Sequence, residues 1–245
     1  MTWNPKIYHC VELHGEPDAR KQRAHQSWDN LYELGRLEPV MTFHETIKRS
    51  ARDIGDSLDL PFFKDVLQVG LDKAGDDDIV LFTNNDIILH PHLPDALKLH
   101  LGLWEACSGR RCEFKTHAFP GLMASNDEWA SKSDPHCGRD LFAATKRWWL
   151  KHWGEIGDFI LGAPVFDLNL AAIIRLSKSH HLTRQNLDQN VPCCELAMGY
   201  LGHEHHSSPW AQRPKDTPSH VHNGRLFREW AAVNLPELRF YGDQI

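Results

Sequence analysis

Apolar residues recur along this chain with two periods, and the order in which the periods alternate predicts an α/β fold. Lys6 to Leu13 alternates weakly between apolar and polar and reads as an opening strand. A polar turn, Gly15 to Asp18, follows. From Ala19 to about Gly35 the residues Ala24, Trp28, Leu31 and Leu34 share one helical face. Strand, turn and helix in that order open a nucleotide-binding α/β unit. Pro61 to Ala74 predicts a second helix, with Phe62, Phe63, Val66, Leu67 and Leu71 as its stripe. Pro61 suits a first helical turn, where the missing donor costs nothing, and Gly75 stands where a C-terminal cap belongs.

The run Ile79, Val80, Leu81, Phe82 is continuously apolar between Asp and Asn residues. So short a run predicts a central parallel strand buried on both faces. It ends in Thr83, Asn84, Asn85 and Asp86, and the apolar piece Ile87 to Leu89 then runs out before Pro91. From about Gly102 to Gly138 neither period holds, which predicts loops over a site. Asp140 to Ala144 reads as a short strand, Thr145 to Trp153 as a helix and Asp158 to Gly162 as another strand. Asp167 is placed to cap a helix through Arg175, with Leu170, Ala171, Ile173 and Ile174 on its inner side. Trp148 and Trp149 are adjacent, and neighbours on a helix face different ways, so one of them is expected to point outward. The last sixty or so residues carry no period.

Composition narrows the class. The chain has 245 residues, 41% hydrophobic and 24% charged, which suits one large α/β domain over 1–245. Within it, about 1–100 forms a nucleotide-binding half and about 101–245 an acceptor half with a histidine-rich tail. A net charge of −6 argues against a general nucleic-acid binder, although Lys146, Arg147 and Lys151 form a local basic trio. No apolar run approaches the ~20 residues of a membrane span. The start, Met1 to Lys6, lacks a secretory pattern, so a cytoplasmic protein is expected. The six cysteines form no CxxC pair and are expected to be reduced.

Ligands of open α/β sheets bind at the carboxyl ends of the strands, and Asn84, Asn85 and Asp86 sit at such an end. Their oxygens are hard ligands suited to Mg²⁺ or Mn²⁺. The same residue types also serve in a plain turn. The segment Asp77-Asp78-Ile79-Val80-Leu81-Phe82-Thr83-Asn84-Asn85-Asp86-Ile87 resembles the GT-A class of glycosyltransferases, whose signature is an Asp-x-Asp-type motif after a buried strand. Ile54-Gly55-Asp56 through Leu60-Pro61-Phe62-Phe63-Lys64-Asp65 is similar to the segment that precedes this strand in bacterial members. Gly138-Arg139-Asp140-Leu141-Phe142 and Phe159-Ile160-Leu161-Gly162 with Asp167 resemble the acceptor-side elements. The likeness touches about residues 5–225, in short motifs.

The resemblance implies a single GT-A-like, Rossmann-like domain with a mixed, mostly parallel central sheet flanked by helices. It implies transfer of a sugar from a nucleotide-diphosphate-sugar donor to an acceptor hydroxyl, with Mn²⁺ or Mg²⁺ as cofactor. Asp86 is then the metal carboxylate. Asn84 replaces the first carboxylate of the motif, which leaves the metal more dependent on Asp86 and a later ligand. The resemblance also implies a C-terminal histidine, and His203, His205, His206, His220 and His222 crowd into twenty residues, with His206 and His222 as the candidates. Arg20, Arg23, Arg52 and Lys64 could meet the phosphates, with Asp56, Asn84 and Asn85 completing the donor set. Asp140 is expected near the donor sugar and Asp167 on the acceptor side, where an inverting transfer needs a carboxylate base. A saccharide is the first acceptor class; a hydroxylated nucleic-acid base or a protein are others. Two further readings stand beside this one: a histidine-cluster metalloenzyme, and a non-catalytic nucleotide-sugar binder.

Overall fold

The computed structural model describes residues 3–13, 18–43, 47, 49–115, 118–177, 195–205 and 213–235. Its centre is an eight-stranded mixed sheet. The strands are β1 (Ile7–Leu13), β2 (Glu38–Phe43), β3 (Ile79–Thr83), β4 (Ile88–Leu89), β5 (Ala106–Phe114), β6 (Asp134–Thr145), β7 (Glu195–Leu196) and β8 (Leu201–Glu204). They lie in the order β2-β1-β3-β6-β5-β8-β4, with β7 also beside β5. Strands from before and after residue 100 thus interleave. β1 is parallel to β2 and β3. β5 is parallel to β7 and β8. Between these parallel groups β6 runs antiparallel to both β3 and β5, and β4 is antiparallel to β8. The fold is therefore α/β as expected, but its middle is antiparallel.

Helices cover both faces of the sheet. They are α1 (Ala19–Glu33), α2 (Phe63–Lys73), α3 (Leu93–Leu103), α4 (Asn126–Lys132), α5 (Lys146–Lys151), α6 (Phe166–Leu176) and α7 (Pro218–Asn234). The period of two along β3 divides the core. Val80 and Phe82 pack with Phe63, Leu67, Trp149 and Ile174, whereas Ile79 and Leu81 pack with Trp28, Leu93, Leu97 and Leu141. Every residue of β3 is buried, as its unbroken apolar run requires. α1 starts where Asp18 accepts the backbone N–H groups of Arg20 and Lys21 at 2.9 and 3.0 Å. Among the described residues no helix is long and apolar enough to cross a membrane.

Several local expectations are corrected. Pro61 precedes the helix, bridging to Ser50, and α2 begins at Phe63. The aperiodic stretch 102–138 contains β5, α4 and the start of β6. β5 was hidden because Arg110 and Arg111 interrupt its apolar residues at a bulge in the pairing with β6. β6 runs over twelve residues where five were expected. The 158–162 strand is a single bridge, Phe62 to Ile160. The cap of α6 is Val165, at φ 68°, and Asp167 lies in the first turn. Trp148 and Trp149 are both buried. The six-residue α5 is wedged between the sheet and the end of α6, so Trp149 Nε1 donates to the Val80 carbonyl at 3.0 Å and Trp148 Nε1 to Ser177 Oγ at 3.3 Å.

α2 approaches β1 most closely at Gly70, where a Cβ would lie 2.2 Å from Cys10 Sγ and 3.1 Å from Val80 Cγ1. Alanine improves helix propensity by ~1 kcal/mol, yet this contact reverses the sign. Gly70→Ala is expected to lose about 1–3 kcal/mol in urea unfolding, and Cys10→Ala in the same chain to restore much of it. Simple additivity of the two changes would show that the sulfur is not the obstacle.

Candidate functional site

A cleft of about 590 Å³ opens at the carboxyl ends of β1 and β3. Each of its walls comes from a different element. Glu12 ends β1, and Asp18, Arg20 and Lys21 begin α1. Phe82, Thr83, Asn84, Asn85 and Asp86 come from β3 and its turn. Arg111 of β5, Arg139 and Asp140 of β6, and His203 of β8 form the far side, and the 161–164 loop with Phe166 and Asp167 closes it. Because β6 is antiparallel to β3, Leu141 pairs with Thr83 at the strand's end, which sets Asp140 beside the Asn84 turn.

Asp140 is the fixed point. It is 6% exposed, accepts from Asn84 Nδ2 at 2.7 Å on Oδ1, and accepts from Arg111 Nη1 at 3.0 Å on Oδ2. Burial raises its carboxyl above the ordinary range; Arg111 opposes that and the nearby Asp86 charge reinforces it. Asp167 is likewise raised, by burial first and then by the charge of Asp140. Asp86 keeps 24% of its side chain exposed, with His203 Nε2 3.2 Å from its Oδ2. His203 is buried, and its Nδ1 lies 3.3 Å from Glu113 Oε1. Burial alone would raise the Glu113 carboxyl, but Arg111, His203 and His205 together hold it below its usual range. The cleft thus gathers Asp86, Asp140 and Asp167, two of them with raised carboxyls.

Of the residues expected from sequence, Asn84, Asn85, Asp86, Asp140, Asp167 and Arg20 line this cleft. Arg52, Asp56, Lys64 and His222 are not among its lining residues. Arg52 pairs with Asp59 at 3.2 Å, and Lys64 Nζ sits 5.1 Å from the centre of the Trp153 ring. His222 Nε2 bonds the Asp158 carbonyl at 2.9 Å, which ties it to the scaffold and away from Asp86. Arg23 pairs with Glu204. His206 lies outside the described residues.

Asp56 is a structural anchor. It accepts from Arg213 Nη2 at 2.7 Å, from the Leu58 N–H at 3.0 Å and from the Ser219 N–H at 3.0 Å. Burial would raise its carboxyl, but the bonds from Ser219, Leu58 and Arg213 outweigh burial and hold it well below the carboxylate range. A carboxylate on the first turn of α7 also favours the helix dipole.

Sequence reasoning missed Glu12, Lys21, Arg111, Arg139 and the choice of His203. Arg110-Arg111 within a strand was a readable signal, because charge in a central strand needs a polar wall to face. Among the described residues no three His, Cys, Asp or Glu side chains converge as a ready metal-ligand group. No protein-family model matches the chain, and no curated protein matches it either.

Two supports hold the cleft in shape. Beneath its floor, the buried His9 joins Tyr32 Oη and Thr83 Oγ1, each at 2.7 Å. At its rim, the buried Asn223 of α7 accepts from the Ile160 N–H at 2.9 Å and donates toward the carbonyls of Ile160, Ala163 and Pro164 at 3.0–3.3 Å. Asn223→Ala strands those groups and is expected to cost about 2 kcal/mol or more, with faster amide exchange at 160–164. Unchanged exchange there would remove the clamp.

Burial drives the His9 pKa down to about 3. The native state then stays unprotonated while the unfolded chain takes up a proton below about pH 6.5. Stability contributed at this position therefore falls with acid, by up to about 1.4 kcal/mol per pH unit between those values. His9→Gln is expected to flatten that portion of the urea-stability profile, and parallel profiles would show that His9 does not carry it.

Proposed function

We propose that this protein is a GT-A-like glycosyltransferase that moves a sugar from a nucleotide-diphosphate-sugar donor to an acceptor hydroxyl. The observation that carries the reading is the buried strand β3, which delivers Asp86 into a cleft that also holds Asp140 and Asp167.

The donor set suits a divalent cation. Two ligands each ~2.1 Å from one ion and at a right angle are about 3 Å apart, and Asp86 Oδ2 and His203 Nε2 stand 3.2 Å apart. One carboxylate with one imidazole favours Mn²⁺ over Mg²⁺, which prefers oxygen alone. When bound, such an ion would screen charge on the departing nucleotide diphosphate. Asp86 and His203 are the residues that would hold it, with His203 in the role that the resemblance gives to a C-terminal histidine.

The remaining roles rest on this chain's own side chains. Arg20, whose guanidinium is held by Asp18, and Lys21 lie in the first turn of α1 and are the groups that would meet donor phosphates. Asp140 is held by Asn84 and Arg111, so it presents a fixed acceptor to donor-sugar hydroxyls. Asp167 serves as the acceptor-side base. Its raised carboxyl makes it a stronger proton acceptor than an ordinary aspartate, and proton transfer of this kind supplies roughly 10²–10⁴-fold in rate. A saccharide hydroxyl remains the preferred acceptor.

A thermal-unfolding titration with nucleoside diphosphates and Mn²⁺ tests the reading, because a ligand selective for the native state stabilises it. One nucleotide is expected to raise the midpoint, with the Mn²⁺-dependent part lost in Asp86→Ala. Asp167→Asn is expected to retain that binding and to lose at least 10²-fold in transfer. Absence of any response to nucleotides, or wild-type transfer by Asp167→Asn, would overturn the assignment.

A further inference from the structure

Behind one wall of the cleft three guanidiniums gather about one carboxylate among the described residues. Arg110 of β5, Arg139 of β6 and Arg175 of α6 surround the single carboxylate of Glu195 on β7. Arg110 claims both oxygens, donating from Nε to Oε1 at 2.5 Å and from Nη2 to Oε2 at 3.2 Å. Arg139 Nη2 stands 3.3 Å from Oε1 and Arg175 Nη2 3.8 Å from Oε2. The next carboxylate, Asp167, draws on Arg139 only in part, and its own carboxyl is raised by burial.

A guanidinium cannot shed its proton to escape this setting. The Arg139 side chain is 11% exposed, and its buried Nε has no hydrogen-bond partner among the described residues. Burial and the charges of Arg175 and Arg110 all work against the cation. Such an arrangement is stabilised when an anion arrives. Arg139 also lines the cleft beside Asp167. The other basic pole, Arg20 and Lys21, follows β1, which β3 separates from β6. The two basic groups therefore come from elements two strands apart in the sheet, and both line the cleft. One pole suffices for the donor phosphates, so the second is left for another anion.

We propose that Arg139, backed by Arg110 and Arg175, forms an oxyanion subsite, and that the acceptor sugar carries a phosphate or a carboxylate that docks there. The planar fork of arginine matches either group with two parallel hydrogen bonds. Assigning the anion to the acceptor rests on the sugar-transfer reading; the anion site itself does not.

Calorimetric titration of the full chain with glucose 6-phosphate, glucuronate and glucose provides the test, without donor. At least one anionic sugar is expected to bind tenfold or more tightly than glucose, and the better of the two identifies phosphate or carboxylate. Arg139→Gln is expected to shrink the difference below threefold, while Arg147→Gln, which removes an exposed charge elsewhere, keeps it. Should Arg139→Gln fail to fold by circular dichroism, Arg175→Gln decides, with at least threefold weaker binding expected. Equal binding of all three sugars overturns the subsite, as does a difference that survives in the folded Arg139→Gln or in Arg175→Gln, or one lost equally in Arg147→Gln. A parallel nucleoside diphosphate titration separates the two readings. Nucleotide binding without an anion preference sinks the subsite alone. An anion preference without nucleotide binding supports the subsite and sinks sugar transfer.

Discussion

The bonds from Asn84 and Arg111 to the Asp140 carboxylate hold the site together. They join three strands that are distant in sequence but adjacent in the sheet: β3 through its terminal turn, β5 through Arg111, and β6 through Asp140 itself. A carboxylate buried this deeply is costly unless its oxygens are bonded, and here each oxygen has a donor. Asn84 thereby gains a role that a carboxylate at the same place would lose. An aspartate at that position would set a second negative charge against Asp140, whereas the amide donates to it.

The antiparallel entry of β6 has the widest consequences. It brings Arg139 and Asp140 to the carboxyl ends of β1 and β3, where open α/β sheets place their ligands. It also puts Arg139 opposite Arg110 in the pairing with β5, which gathers the basic wall. Acidic centre and basic wall come from adjacent residues of one strand, Asp140 and Arg139, and both line the cleft.

The tail acts mainly as scaffold within the described residues. Asp56 anchors the first turn of α7, and Asn223 of the same helix clamps the loop that closes the cleft. His222 faces the Asp158 carbonyl on the same seam. Polar residues here satisfy buried backbone groups that would otherwise be stranded, which is the usual demand on irregular buried segments. Only His203, on the buried strand β8, reaches the acidic centre among the described residues of the tail.

Local chemistry made part of this legible from the amino-acid order alone. The unbroken apolar run of β3, the opening stripe of α1 and the stripe of α2 each follow from short-range rules, and the polar residues after β3 had to fall at a strand end. Asn84, Asn85 and Asp86 were readable as cleft residues for that reason, whereas Asp140, Asp167 and Arg20 were expected through the resemblance. What the order alone left open was every feature that depends on which distant strands become neighbours. Arg111, Arg139 and His203 enter the cleft through strand pairing across long separations, whereas α7 captures Asp56 and the Asp158 carbonyl holds His222. Burial of both Trp148 and Trp149 likewise depends on what surrounds this short helix, which turns Arg147 and Leu150 to the solvent instead. Periodicity reports which face of an element is apolar; only the packed sheet decides what that face meets.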